Sequence, residues 1–384
     1  MRAENSLPPG DAAELIRRAY SGRQLPAEQI DLFSNSERVF PYRIVRAGPV
    51  SRPLPRRPVS LEHLSFMSGG QEYDYFDYVS RNRVAGLLIL KAGEVCCEHY
   101  ELGCDPATRW ASMSLAKSIS SILVGAALQD RLIASIDDPI NEYVPELAGS
   151  GYDGVSIRHI LQMTSGVHWD DAHTDPGSER RKMLELQIAQ QPGSILRFLA
   201  TLPRVAEPGT RWNYSTGETH IVGALLRSAT GRWLSDYLQD KIWSLCGMEK
   251  AATWWLESPE GLEVAGSGFA ATLGDYARLG LFMMRDGIID GRRVLPPGWA
   301  QESGASREIG GQRTDYGYMW WSVPAMDGSL ADGAYGARGI FGQFIYVNPR
   351  EDVVIAVLSA RVKPKKAEVI IDNDFFNAAV AALR

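Results

Sequence analysis

Residues 110–132 read WASMSLAKSISSILVGAALQDRL, a segment that predicts a long α-helix. Its apolar residues recur at helical spacing and would form one packing face: Ile119, Ile122, Leu123 and Ala127. The segment opens on the motif S-x-x-K, formed by Ser114 and Lys117. Residues three apart lie on the same face of a helix, so the Lys117 amine can reach the Ser114 hydroxyl.

This motif has the chemistry of an activated nucleophile. A serine hydroxyl is a poor nucleophile without an adjacent base, and a lysine among apolar residues has a lowered pKa that suits it to that role. The free N–H groups at a helix start also favour a developing oxyanion. The chain has eight lysines and a single S-x-x-K. The alternative is a solvated lysine on a surface helix, and the motif alone does not decide between the two.

Strand patterns lie on both sides of a long helical region. The runs VAGLLIL (84–90) and EVCCEHYEL (94–102) come early, and GIFGQFIYV (339–347) and DVVIAVLSA (352–360) come late. Between them we predict mostly helices, at 156–164, 178–190, 193–202, 218–229 and 233–246. Further helices are expected at 11–20, 272–286 and 373–383, and a strand at 316–323.

This order predicts an α+β fold, in which an antiparallel sheet flanked by helices carries an inserted, mainly helical domain. The sheet domain would comprise residues 61–134 and 265–384, and the inserted domain residues 135–264. Residues 1–60 would form an N-terminal extension that packs on the main body.

Composition excludes several classes of protein. The 384 residues include 45% hydrophobic and 22% charged residues, and the net charge is -6, so a nucleic-acid partner is not expected. No apolar run approaches the roughly 20 residues of a membrane helix, so no membrane partner is expected either. The first residues lack a basic start followed by an apolar stretch, which favours a cytoplasmic location.

The four cysteines allow two interpretations. Cys96, Cys97 and Cys104 could bind a metal with His99, but their spacing matches no common zinc pattern. Small apolar side chains in a reducing compartment are the simpler interpretation, and it includes Cys246. We therefore predict no metal site.

Two later segments could complete a site around Ser114. Tyr214 precedes a predicted helix, where a phenol can project into a cleft and relay a proton; it could equally be a packing residue. The segment AYGARGIFGQ (334–343) leads into the late strand, and its glycines would allow close approach to a ligand or form a simple bend. A backbone N–H there could be a second oxyanion donor.

In this order the three elements resemble the serine β-lactamase and penicillin-binding superfamily. Supporting stretches are DDPINEYVPEL, SIRHILQMTSGVHW, EPGTRWNYSTGETHIVGALL and SGFAATLGDYARLGLFM. They are similar to the class C-like branch, and within it to the 6-aminohexanoate-dimer hydrolases and the β-lactamase-like carboxylesterases. The resemblance implies a β-lactamase-like fold and no metal or organic cofactor.

The resemblance also implies roles for individual residues. Ser114 would be the acylated nucleophile, Lys117 its base, and Tyr214 the tyrosine that activates the serine and protonates the leaving group. The backbone N–H of Ser114 would be one oxyanion donor. Ile340 would supply the other, with Ala337 as the competing alignment.

Departures from the family pattern concern the substrate. Thr216 replaces the asparagine of Y-x-N, and Ala337-Arg338-Gly339 stands where β-lactamases have K-T-G. Arg338 could hold a carboxylate, although we expect it to point to solvent. The stretch from Trp169 to Pro176 resembles a loop that, in the nylon-oligomer hydrolases, carries a tyrosine contacting the substrate amide, and His173 stands at the matching position. His173 would donate a hydrogen bond and titrate near neutral pH, or be an exposed loop residue.

Three functions therefore remain open. The favoured one is a serine hydrolase of small carboxylic esters or linear amides, which acts through an acyl-enzyme and has a small-molecule substrate. The second is a β-lactamase or D-alanyl-D-alanine peptidase, against which the missing K-T-G counts. The third is a non-catalytic binding protein that retains the fold. A homodimer is an additional expectation that the sequence leaves open.

Overall fold

A computed structural model describes residues 7–384 of the chain. Its strands are β1 (Tyr42–Val45), β2 (Ser65–Ser68), β3 (Gln71–Asp74), β4 (Val84–Lys91), β5 (Glu94–Tyr100), β6 (Trp110–Ala111), β7 (Ala252–Trp255), β8 (Phe269–Ala271), β9 (Ile288–Ile289), β10 (Arg292–Arg293), β11 (Arg307–Ile309), β12 (Gln312–Thr314), β13 (Trp321–Ser322), β14 (Tyr335–Gly339), β15 (Gln343–Asn348) and β16 (Val353–Ser359). Its α-helices are α1 (Pro9–Tyr20), α2 (Pro26–Ser34), α3 (Tyr75–Arg81), α4 (Leu115–Gln129), α5 (Ile140–Tyr143), α6 (Ile157–Leu161), α7 (Glu179–Ala189), α8 (Ser194–Ala200), α9 (Thr216–Thr230), α10 (Leu234–Leu238), α11 (Leu273–Met284), α12 (Trp299–Gly304) and α13 (Asp372–Ala382). Short 3-10 turns lie at Ser36–Arg38 and Pro145–Leu147, and a π-helical turn at Gln239–Trp243.

The main sheet joins the two ends of the chain, as the strand patterns predicted. Its six antiparallel strands run in the order β13-β14-β15-β16-β4-β5. The central strands β4 and β16 are buried on both faces, which explains their nearly continuous apolar sequences. On one face β4 packs against α11, and on the other the sheet packs against Phe375 and Phe376 of α13.

A second sheet, which the sequence did not predict, carries the start of the active-site helix. Four strands pair in the order β1-β7-β8-β6, so the N-terminal extension adds β1 to β7 from the predicted helical region. After β6 the Ser112 N–H donates to the Phe269 carbonyl at 2.7 Å. Met113 then adopts a left-handed φ of 50°, and α4 begins at Leu115. The predicted helix over 110–132 is therefore shorter at its start, because residues 110–111 form a strand.

Helix α4 lies at the centre of the molecule. Residues 115–127 are all buried, including polar positions such as Ser118 and Ser120. Those hydroxyls donate to the carbonyls of Met319 and Ala265, at 2.6 and 2.8 Å, so burial leaves neither unsatisfied. A helix surrounded by protein on all sides places its first turn, with Ser114 and Lys117, inside the fold.

The late strands differ from the sequence prediction at one point. The predicted strand 339–347 is interrupted by a turn at 340–342, where Phe341 and Gly342 have φ values of 65° and 88°. Strand β14 ends at Gly339 and β15 begins at Gln343. Only Trp321–Ser322 of the predicted strand 316–323 is extended. Helices α5 to α10 do fall within 135–264; the domain boundaries themselves stay a prediction, and residues 1–6 of the predicted extension lie outside the described residues.

Candidate active site

Ser114 and Lys117 form a hydrogen-bonded pair at the start of α4. The Lys117 amine lies 3.0 Å from the Ser114 hydroxyl oxygen and also donates to the Gly266 carbonyl at 2.9 Å. The Lys117 side chain is 1% exposed, which excludes the alternative of a solvated surface lysine. Ser114 is half-buried and faces a cavity of about 580 Å³.

Burial changes the protonation of Lys117. Loss of hydration lowers the pKa of its amine to about 7, although the nearby Asp171 carboxylate opposes the change. The Arg180 and Lys365 cations lower this pKa further. At pH 7 an amine with a pKa near 7 is about half in the free-base form, so Lys117 can accept a proton from Ser114.

Tyr214 lies beside the Ser114–Lys117 pair, just before α9. The Lys117 nitrogen is 5.2 Å from the centre of its ring. Burial and the Asp171 charge raise the pKa of the Tyr214 phenol, while a hydrogen bond with Ser114 opposes this change. The phenol therefore keeps its proton at neutral pH and can donate it. The ring stacks on Trp321, with centroids 5.8 Å apart.

The end of β14 passes directly beside the nucleophile. A Cβ on Gly339 would lie 2.4 Å from the Ser112 carbonyl oxygen, so only glycine permits this approach. The next residue, Ile340, lines the same cavity as Ser114. Among residues 7–384 the N–H groups of Ser114 and Ile340 make no backbone hydrogen bond. Both are free to bind a developing oxyanion.

A loop before α7 supplies a buried carboxylate. Asp171 accepts hydrogen bonds from the Trp169 indole at 2.9 Å and from the Thr216 hydroxyl at 2.7 Å through one oxygen. Its other oxygen has no hydrogen-bond partner among the described residues. Burial alone would raise the pKa of Asp171, but His173, Lys117 and Arg180 hold it below the usual value. This carboxylate was not singled out from the sequence, where nothing distinguished it from the neighbouring acidic residues.

His173 lines the cavity, but its expected titration near neutral pH is wrong. The ring is buried rather than exposed, with 5% of its surface accessible. Loss of hydration lowers its pKa to about 3, despite the attraction of Asp171. His173 is thus a neutral imidazole at pH 7, and its Nδ1 has no hydrogen-bond partner among residues 7–384.

Three other predicted residues lie behind the cavity wall rather than on it. Trp169 and Thr216 do not line the cavity, and each donates a side-chain hydrogen bond to Asp171. Ala337 is fully buried within β14, where it pairs with Ile345. Of the two alignments for the second oxyanion donor, the cavity contains Ile340.

Arg338 lines the cavity, so the expectation that it points to solvent is wrong. Its guanidinium lies 5.6 Å from the Trp321 ring centre and donates to the Asn373 side chain at 3.4 Å. The nearby carboxylates are engaged elsewhere, since Asp372 accepts from Arg361 at 2.5 Å and Asp315 from Arg313 at 2.7 Å. Within the described chain, Arg338 therefore has no ion-pair partner.

The described residues form neither a cluster of metal ligands nor a membrane-spanning helix. Residues 7–384 contain no group of three or more His, Cys, Asp or Glu side chains able to hold a metal ion. In the same part of the chain, no helix has the length and apolar character needed to cross a membrane.

Comparison with known families identifies this arrangement. The family described as Beta-lactamase matches residues 78–378. The chain belongs to the Beta-lactamase family. A 6-aminohexanoate-dimer hydrolase from Paenarthrobacter ureafaciens is 30% identical over 295 residues, which cover 72% of each chain.

Solved structures support the β-lactamase-like fold. A Bacillus anthracis protein assigned provisionally as a 6-aminohexanoate-dimer hydrolase has a TM-score of 0.80 and 21% identity, over 93% of this chain and 94% of its own. A family VIII carboxylesterase has a TM-score of 0.59 and 16% identity, over 78% and 92%. The α+β fold expected from the sequence is thus confirmed.

Proposed function

We propose that this Beta-lactamase family member is a serine hydrolase of small carboxylic esters or linear amides, with Ser114 as its nucleophile. The observation that carries the proposal is the buried Lys117 amine, 3.0 Å from the Ser114 hydroxyl. The 30% identical relative is named a hydrolase of a 6-aminohexanoate dimer, which supports hydrolytic chemistry on this fold. No metal or organic cofactor enters the proposed reaction.

In the proposed reaction Lys117 accepts the Ser114 proton as the oxygen attacks the substrate carbonyl carbon. The carbonyl oxygen becomes an oxyanion held by the N–H groups of Ser114 and Ile340. The tetrahedral intermediate collapses, the leaving group takes a proton through the Tyr214 phenol, and an ester to Ser114 remains. Water then attacks that ester, with the same groups moving the proton, and releases the acid.

The cavity favours a substrate with an apolar part and a negative group. Trp212 and Trp321 supply an aromatic wall, and their rings lie 5.9 Å apart. Arg338 adds a guanidinium without an ion-pair partner among the described residues, which a carboxylate on the substrate could satisfy bidentately. His173, as a neutral imidazole, can hydrogen-bond an amide or ester oxygen. We therefore favour linear substrates that carry a carboxylate.

A β-lactamase or peptidase activity is the second candidate. The family supports it, but the sequence Ala337-Arg338-Gly339 lacks the lysine and threonine of K-T-G. Nitrocefin turnover at a rate comparable with that of activated esters would favour it.

Location and assembly are further proposals. The four cysteines are free, which supports a reducing, cytoplasmic compartment. The predicted homodimer and the division at residues 135 and 264 are testable by size-exclusion chromatography and limited proteolysis. In the homodimer case, a mass near twice 42.3 kDa is expected.

The decisive experiment is intact mass after exposure to a fluorophosphonate, with p-nitrophenyl butyrate turnover in parallel. The wild type should gain a single adduct and turn over the ester, and Ser114→Ala should do neither. Ser118→Ala is a matched control, because Ser118 is a buried serine one turn further along the same helix. An adduct that survives in Ser114→Ala would contradict the assignment. A folded wild type with neither adduct nor turnover would favour the non-catalytic alternative.

A further inference from the structure

The N-terminal helix α1 ends against the wall of the catalytic cavity. Its last residue, Tyr20, is buried and lies outside residues 78–378, the part that matches the family. The Tyr20 ring stacks on His173, with centroids 5.7 Å apart and planes 15° apart. Its hydroxyl oxygen accepts a hydrogen bond from the Arg180 guanidinium at 2.5 Å. One side chain of the extension therefore contacts both a cavity residue and a buried cation.

Arg180 depends on this contact. The side chain is 2% exposed, and among residues 7–384 no carboxylate lies within 4.0 Å of its guanidinium. The Tyr20 hydroxyl is its one side-chain hydrogen-bond partner in the described chain, and the Tyr20 ring lies under the guanidinium at 4.4 Å. A buried guanidinium without these contacts would be costly, so loss of the phenol should displace it.

The same extension also contacts a second segment that lines the cavity. The Gly22 carbonyl accepts from the Lys363 amine at 2.6 Å, and the Gln29 amide donates to the Arg361 carbonyl at 2.6 Å. Both Lys363 and Arg361 line the cavity. Residues 20–29 thus connect the loop of His173 with the segment that follows β16, and Tyr20 has a fixed support.

We propose that Tyr20 is a positioning residue of this active site, which holds His173 in the cavity wall and keeps the Arg180 cation near Lys117. The inference rests on the proposed function, because it concerns the group that accepts the Ser114 proton. Tyr20 touches no reacting atom and acts through the two residues that it contacts.

The charges around Lys117 give this role a measurable consequence. Burial dominates the lowered pKa of Lys117; Asp171 raises it, and Arg180 and Lys365 lower it. Displacing Arg180 removes one of the two cations that keep the amine deprotonated. The pKa of Lys117 should then rise. As the solution is acidified, the variant should therefore lose activity at a higher pH than the wild type does.

The test compares two Tyr20 variants with a matched control. Tyr20→Phe keeps the stack on His173 but removes the acceptor for Arg180, whereas Tyr20→Ala removes both. Tyr318→Phe is the control, because the Tyr318 hydroxyl accepts from Arg158 at 2.8 Å and Arg307 lies over its ring at 4.7 Å, away from the cavity. Tyr318→Phe thus loses a hydrogen bond from an arginine, as Tyr20→Phe does, but at a position away from the cavity.

The first measurement is the pH profile of kcat/KM for p-nitrophenyl butyrate. In Tyr20→Phe the acid limb should move to higher pH by up to about 1 unit, the order of magnitude expected when one nearby charge is displaced at an effective dielectric constant of about 20. In Tyr318→Phe it should not move. An acid limb in Tyr20→Phe that superimposes on the wild type would overturn the proposal, and a mere loss of stability would not imitate the shift.

A second measurement does not depend on turnover. The Cε1–H resonance of His173 can be followed by NMR during an acid titration of the folded protein. In the wild type the ring should stay neutral until about pH 3. Tyr20→Phe should titrate at a higher pH, because Arg180 is one of the cations that lower the pKa of His173, and Tyr20→Ala should titrate higher still as water enters. An unchanged His173 titration in Tyr20→Ala would overturn the positioning role. Absence of wild-type turnover would refute the proposed function instead, and the titration would still decide whether Tyr20 positions His173.

Discussion

Lys117→Met should inactivate the protein and, at low pH, stabilise it. The lysine is 1% exposed, and burial lowers the pKa of its amine from 10.5 to about 7. Below pH 7 the folded protein holds a buried ammonium that the unfolded chain hydrates freely. By linkage this costs the folded state about 5 kcal/mol.

The sign follows from the lowered pKa. Between about pH 7 and pH 10.5 the unfolded chain binds more protons than the folded one, so wild-type stability rises with pH across this window. The cost is complete below pH 7 and falls to about 2 kcal/mol at pH 9. Methionine has a similar volume and no charge, so its variant lacks this dependence.

The substitution also removes two hydrogen bonds, to the Ser114 oxygen and the Gly266 carbonyl. The carbonyl is left without that donor, at a cost of about 1–3 kcal/mol. The net expectation at pH 6 is a gain of about 2 kcal/mol in the free energy of unfolding. At pH 9 the gain should vanish or reverse.

The assay is urea denaturation followed by tryptophan fluorescence at pH 6 and pH 9. The difference in unfolding free energy between Lys117→Met and wild type should change by about 2 to 3 kcal/mol between the two pH values. Lys182→Met is the control, since Lys182 is exposed and paired with Glu179. An equal destabilisation of Lys117→Met at both pH values would refute the reasoning, because Lys117 would then not be a strained buried cation.

Three further predictions concern the oxyanion site, a buried acid and the cavity cation. Gly339→Ala should lower kcat by ~10²-fold or more, because the new Cβ would meet the Ser112 carbonyl at 2.4 Å and displace the neighbouring Ile340 N–H. Circular dichroism should show that the variant stays folded, and an unchanged kcat would contradict the assignment of Ile340 as an oxyanion donor. Burial raises the pKa of Glu218 to about 8, although a hydrogen bond from the Ser165 hydroxyl at 2.5 Å opposes this change. Wild-type stability should therefore fall by about 3 to 4 kcal/mol between pH 5 and pH 8, and Glu218→Gln should remove this fall in denaturation at the two pH values. Arg338→Gln should lower kcat/KM for mono-p-nitrophenyl glutarate relative to p-nitrophenyl butyrate by about 10- to 100-fold, and an unchanged ratio would show that no carboxylate binds there.

The sequence predicted contacts between residues that are close along the chain, but few of the contacts between distant segments. Ser114 and Lys117 belong to one helical turn, so their contact follows from spacing alone. The long apolar strands β4 and β16 were also predictable, because burial on both faces leaves a continuous apolar run.

The features that the sequence did not predict depend on contacts between distant segments. The four strands of the second sheet have two to four residues each and exist only because they pair in the order β1-β7-β8-β6, which short sequence windows cannot indicate. Part of the burial that makes His173 neutral comes from its stack with Tyr20, far away in sequence. The direction of Arg338 is likewise set by Trp321 and Asn373 across the cavity.

The junction between β14 and the start of α4 also constrains how the protein can acquire activity. The nucleophile and the Ile340 N–H come from distant parts of the chain and meet only where Gly339 lies against Ser112. Strand β14, which ends just before this N–H donor, pairs with β15. Strand β15 pairs with β16, and β16 pairs with the early strand β4, a pairing of high contact order that forms slowly. During refolding, helical circular dichroism should therefore recover before ester turnover. The recovery of ester turnover would thus report the time at which the central sheet closes.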